Sequence, residues 1–298
     1  MDSAAPESAY DGAVGQLGVG RTGKTAVLDI ELRRSGSRTI ISRQYSEVPL
    51  QVQRALYPDA GLPGMAHVYV LSPSGGLLQG DRYKTSISLK DKAAAHVTTQ
   101  GASRIYGMNS NCAIHKMDIS AGKGCYLEYI PDQVIPYAKS RYFQEVRLAI
   151  DDDAAAVYSE VVTPGRVAMG ESFLYDILCT SVRCENQDGS LRFAENARAE
   201  PRRMNLRGEA VLGGYSVHGT VYVMAPPESA RTIEYTAGRI ISHTDGILGG
   251  TSLLPGGAGI TARLLSHRTD SIFKCIEGIA GACRMEMTGA AYPGIRKC

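Results

Sequence analysis

Along much of the chain, hydrophobic and polar positions alternate with a period of two. Between Tyr83 and Lys90, the residues Thr85, Ile87 and Leu89 stand between polar neighbours, which is the pattern of a strand with one buried face. Leu28, Ile30 and Leu32 repeat it. Further short segments at 38–45, 66–73, 94–101, 112–120, 125–131, 145–153, 155–162 and 216–224 are rich in Val, Ile, Tyr and Thr and end at Gly, Pro, Asp or Ser. Strand signals this closely spaced, with no helices between them, predict a mainly β protein built as a sandwich, a barrel or a solenoid.

The last third changes period. Pro226 and Pro227 open a segment to Ile241 that predicts a helix, with Glu228 in its first turn. A Gly-rich stretch follows, then a strand at 260–266. From Asp270 onward, Ile272, Phe273, Ile276, Ile279, Ala280 and Cys283 recur at helical spacing. Two helices are therefore expected in the C-terminal third. Residues 1–24 read as a flexible tail and residues 25–298 as a single domain, since no low-complexity linker divides them.

Composition narrows the partners. The 32 basic residues nearly balance 30 acidic ones in a chain of 298, and no Lys/Arg run marks a surface for nucleic acid or membrane. No apolar stretch approaches the ~20 residues that cross a bilayer. The start of the chain has no basic segment leading into an apolar core, and the seven cysteines are an odd number. The expectation is a cytoplasmic protein with reduced thiols. There is no Trp and only 4 Phe against 16 Tyr, so aromatic packing carries hydroxyls that need partners.

One stretch looks like nucleotide chemistry. Gly18–Thr25, "GVGRTGKT", fits the phosphate-cradling loop G-x-x-x-x-G-K-[ST]. That loop works between a strand and a helix, because the helix N-terminus faces the anion. Here the preceding residues are small and polar, and the following "AVLDIELRR" reads as a strand. A P-loop nucleotide-binding enzyme is the alternative function, and a turn after the tail is the simpler account. Other catalytic patterns are missing. "GASRI" lacks the second Gly of a nucleophile elbow. Cys112-x-x-His115 is a zinc half-site without its mate, and Asp151–Asp153 reads as a solvated turn.

What remains are Gly-rich blocks. "LSPSGGLLQGDRY" (71–83) and "TTQGASRIY" (98–106) resemble the "P-P-G-G-L-x-G-G-D" and "T-T-P-G-A-x-K-x-Y" blocks of the urease accessory protein UreD family, called UreH in some species. "VPLQVQRALYPD" (48–59), "LEYIPDQVIPYAKS" (127–140), "TPGRVAMGESF" (163–173) and "LLPGGAGITARLLS" (253–266) are similar to its other blocks, in the same order. Departures are Gln79, Arg104, Tyr129 and Gln133.

The resemblance implies a non-enzymatic scaffold of urease maturation, mostly β and β-helical with two helices. It implies partners UreF, the urease apoprotein and, through UreF, the GTPase UreG, to which the true P-loop belongs. No permanently bound cofactor is implied; nickel passes in transit, and an internal channel has been proposed for it. Such a path needs oxygen or imidazole groups that bind weakly enough to release. Asp81, Glu128, Glu160 and Glu171, within or beside the matched blocks, are the candidate metal-contacting residues. Otherwise they accept backbone N–H groups or pair with Arg82 or Arg166.

Overall fold

A computed structural model describes Tyr10, residues 23–186 and residues 188–294. The "GVGRTGKT" loop falls mostly outside these residues. Its last residue, Thr25, opens a strand and not a helix.

Short strands rich in β-branched and aromatic residues run in chain order as β1 (Thr25–Ser35), β2 (Arg38–Ser46), β3 (Ala66–Val70), β4 (Arg82–Lys90), β5 (Ala94–Thr99), β6 (Ser103–Ile105), β7 (Ala113–Ala121) and β8 (Tyr126–Tyr129). They continue as β9 (Val134–Pro136), β10 (Arg141–Ile150), β11 (Ala155–Val162), β12 (Ile177–Glu185), β13 (Leu191–Ala199) and β14 (Val217–Met224). Helix α1 (Pro227–Ser242), β15 (Ile247–Leu253), β16 (Gly259–Ser266) and helix α2 (Thr269–Thr288) complete the chain.

From β3 to β12 the chain winds as a solenoid. Successive long strands alternate between two sheets, and each pairs in parallel with the strand one coil earlier. One sheet has the order β13-β12-β10-β7-β4-β1-β2, the other β15-β16-β14-β11-β8-β5-β3. Antiparallel strands close the coils: β2 and β13 flank the first sheet, while β14, β16 and β15 extend the second.

Strand alternation sends one set of side chains into the space between the sheets and the other set outward. The inner set, with Leu28, Ile30, Ile87, Ile119, Tyr142 and Tyr158, forms the larger core. The outer face of the second sheet is covered by the two helices, where Val157, Val221, Ile233, Ile272 and Ile276 form a separate core. The mainly β architecture with two C-terminal helices agrees with the sequence reading. Both helices lie within one or two residues of their predicted starts.

Candidate functional site: a tyrosine-lined interior

Parallel pairing in register stacks equivalent residues of successive coils into rows. On the inner face of the first sheet one row is Tyr83, His115, Gln144 and Thr180. Facing it, Tyr129, Tyr158 and Tyr222 form a row on the second sheet. The rings of Tyr129 and Tyr158 stack with centroids 5.6 Å apart and 8° between planes. Between these rows lies a cavity of about 370 Å³ that also touches Thr85, Met117, Tyr142 and Glu160. Gly75, Gly76, Gly101, Arg104 and Asp132 also line it. Gly76 is required there, since a Cβ would sit 2.4 Å from the Arg104 carbonyl oxygen and its φ is +156°.

The cavity wall is wired by hydrogen bonds. The Tyr142 hydroxyl donates to Gln144 Oε1 at 2.8 Å, and the Gln144 amide and the Tyr158 hydroxyl both donate to Glu160 Oε1 at 2.5 Å. His115 Nε2 lies 2.9 Å from Thr85 Oγ1. Glu160 receives these bonds from neutral groups, while Arg263, the arginine whose charge reaches it, is hydrogen-bonded to Glu195. Enclosure pushes the Glu160 carboxyl above its ordinary range, partly offset by Tyr158 and Gln144. Enclosure also lowers His115 to about 4, so the ring is neutral near pH 7.

A second cavity of about 370 Å³ shares Val162, Leu178 and Thr180 with the first. It lies under the 200–216 loop, where Phe173, Tyr175, Met204, Leu206 and Leu212 make an apolar wall beside His218. Burial lowers His218 as well, to about 4. Among the described residues no three His, Cys, Asp or Glu side chains converge as a metal centre.

Of the four acids singled out from sequence, Glu160 alone lines either of these two cavities. Asp81 is fully buried and accepts the backbone N–H groups of Lys24 and Leu78, each at 2.9 Å, so it ties the start of β1 to the Gly-rich turn. Glu171 takes Arg166 Nε at 2.8 Å and the Ala138 N–H at 3.1 Å. Hydrogen bonding from Arg166 holds its carboxyl below the ordinary range.

Glu128 faces the opposite way from the cavity. It precedes Tyr129 by one residue, so it points to the helices, in a row with His67 and His96. There it accepts from Tyr126 (2.8 Å), sits 2.8 Å from His96 Nδ1 and takes two nitrogens of Arg284, each at 2.8 Å. Arg284, on α2 and fully buried, also donates to Asp59 at 2.5 Å. Burial alone raises the Glu128 carboxyl, but His96 and Arg284 outweigh it and hold it at about 2. With a guanidinium on both oxygens this cluster is a clasp between sheet and helix, unsuited to a cation. Beside it His67 stacks on His96 at 5.3 Å with neither ring nitrogen hydrogen-bonded.

Sequence reasoning missed Gln144, Tyr142 and Arg284, and weighed His115 only as a zinc half-site with Cys112. Register sets His115 and Gln144 in one row, and Tyr142, two residues before Gln144 on the same face, joins them at the cavity wall. Arg284 sits in the helical apolar stripe next to Cys283, and an arginine on a buried stripe was the available signal.

Fold and interior together define a two-sheet parallel β-solenoid with a helical cover and a tyrosine-lined cavity between its sheets. A family model described as UreD urease accessory protein matches residues 24–297. The chain is 36% identical over 280 residues to urease accessory protein UreD 2 of Brucella suis, covering 93% of each. It is 34% identical over 301 residues, the whole of both chains, to UreD of Haloarcula marismortui. With UreD of Photorhabdus laumondii it shares 34% over 93% of this chain and 87% of the other. The chain belongs to the UreD family of urease accessory proteins.

Proposed function

We propose that the chain is a non-catalytic scaffold of cytoplasmic urease maturation, which binds UreF and the urease apoprotein, reaches UreG through UreF, and passes nickel through its interior. The observation that carries this reading is Glu160, a cavity-lining carboxylate whose hydrogen bonds come from neutral groups only.

A carboxylate enclosed without a bonded cation favours either a proton or an incoming cation. A single oxygen ligand, with neutral imidazoles at His115 and His218 farther along the walls, holds a divalent ion loosely compared with clustered imidazoles or thiolates. Loose holding suits transfer and not storage. Protons compete with Ni²⁺ for the Glu160 carboxylate, whose hold on a proton enclosure strengthens, so delivery falls as pH falls.

The test is Glu160→Gln, which keeps the shape and removes the charge. Co-expressed with urease and the other maturation proteins, it lowers the nickel content and activity of urease while co-purification with UreF persists. Full nickel content with this variant rejects Glu160 as a contact. Failure of the wild-type chain to associate with UreF or urease rejects the scaffold reading itself.

A further inference from the structure

The outward rows of the first sheet are mostly polar. Lys84, Lys116, Glu145 and Ser181 pair in register across β4, β7, β10 and β12, and Ser86, Asp118, Arg147 and Arg183 form the next such row. The row at the start of the strands departs from this. There Ile114 and Phe143 pair between Arg82 and Cys179. With Cys112 and Ile177 they form an apolar cluster apart from the two main cores, and Ile114 and Phe143 are only 6% and 3% exposed. An outer sheet face normally meets water, so apolar side chains on it stay dry only where something lies over them.

Tyr10 lies over them. It packs against the cluster alongside Cys179, with its ring centroid 6.1 Å from that of Phe143 at an interplanar angle of 44°. The Arg141 guanidinium stands over the same ring, 5.3 Å from its centroid, a cation–π contact. Arg198, which pairs with Cys179 from β13, is within electrostatic reach of Tyr10.

Reach and charge both fit the segment that carries Tyr10. β10 is three strands from β1 in the sheet order, which is about 14 Å. The 14 residues 11–24 join Tyr10 to β1 and span up to about 46 Å when extended, so the chain reaches this face with length to spare. Residues 1–11 hold Asp2, Glu7 and Asp11 and no Lys or Arg. The surroundings of the cluster have the opposite balance. Asp176 is shared by Arg141 and Arg202, Glu200 by Arg198 and Arg203, and Arg82 stands in the same row as Phe143.

We infer that residues 1–11 are a built-in strap, with Tyr10 as its plug on the Ile114–Phe143–Cys179 cluster and Glu7 and Asp11 as counter-charges to the arginine rim. The start of the first sheet is thus a docking surface for an acidic, tyrosine-bearing peptide, and the chain fills it with its own N-terminal segment.

Cys179 reports on the strap, since among the described cysteines it alone is not buried. The experiment follows alkylation of the full chain by N-ethylmaleimide at Cys179 with peptide mass spectrometry, using the buried Cys125 and Cys184 as gauges of unfolding. Tyr10→Ala loses the ring contact and the cation–π contact and speeds Cys179 modification about tenfold or more, while Cys125 and Cys184 keep their wild-type rates. Tyr10→Phe keeps the protection. Glu7→Lys combined with Asp11→Lys speeds the reaction too, and added salt does so in the wild type. A second readout uses Tyr10→Trp, the sole indole in a chain without Trp, which is shielded from acrylamide quenching. An unchanged Cys179 rate in Tyr10→Ala, or an indole at position 10 as open to quenching as one in water, overturns the inference. A rise at all three cysteines is unfolding, and the indole readout then decides. Equal rates in wild type and the charge-reversed variant overturn the role of Glu7 and Asp11. Protection that grows with protein concentration overturns the choice of occupant in favour of a second copy's segment.

Discussion

Replacing Arg284 with methionine removes the one cation at the centre of the clasp between α2 and the second sheet. The side chain is 0% exposed and holds Asp59 at 2.5 Å and both oxygens of Glu128 at 2.8 Å. Both carboxylates are themselves buried. The variant therefore strands buried negative charge, and breaking a buried pair from one side costs about 3–5 kcal/mol. Unfolding entropy of ~2 cal/mol/K per residue gives a chain of 298 residues about 0.6 kcal/mol/K. The melting temperature thus falls by about 5–8 °C. Glu128→Gln in the same chain removes one stranded charge, so the double variant recovers part of the loss. Acid sensitivity reports the same clasp. Glu128 is held at about 2 against an ordinary 4.5, so its contribution is fully present above pH 4.5 and fades as pH falls toward 2. In Arg284→Met that fading shrinks. Differential scanning calorimetry between pH 3 and 7 checks both statements. A single variant melting within about 1 °C of wild type, or a double variant no better than the single, refutes the reasoning.

Thermal stability of the wild-type chain declines as pH falls from 6.5 through 4, because His67 is held at about 4 chiefly by burial and the unfolded chain binds the proton more readily; a flat melting profile over that window counts against a neutral buried ring. Asp81→Ala leaves the Lys24 and Leu78 amides without their acceptor and costs about 1–3 kcal/mol by chemical denaturation, whereas Asp81→Asn keeps one oxygen and costs less. Glu171→Gln, whose partner Arg166 lies outside both cavities, leaves the nickel content of co-expressed urease at the wild-type level, and a drop would restore it as a contact. Lys24→Ala leaves urease activation within about twofold of wild type, as the residue precedes a strand; micromolar ATP or GTP binding that this change abolishes would reinstate the P-loop.

The elements were legible where pattern and burial agree. Alternation in 83–90 and 155–162 gave strands, and the 3.6-residue stripe from Ile272 to Cys283 gave α2, because one buried face imposes its period locally. In sequence β15 is a Gly-rich stretch, since two glycines erase β propensity and its pairing with β16 is what makes it a strand. β12 and β13 carry no clear strand signal either, because polar residues such as Thr180, Ser181 and Asn196 interrupt their alternation.

The family resemblance came from ordered blocks, and those blocks are mostly turns and loops whose glycines are demanded by backbone geometry. They did not reveal which acids face the interior. A strand turns alternate residues to opposite faces, so in "LEY" either Glu128 or Tyr129 points inward, and the sequence treats both choices alike. Only the sheet's place between a second sheet and two helices decides it: Tyr129 enters the cavity and Glu128 meets Arg284, 156 residues away. The chain alone determined the period of each element, because that depends on neighbours along the backbone. The tertiary structure decided which charges are paired and which stand open, because that depends on groups brought together from distant coils.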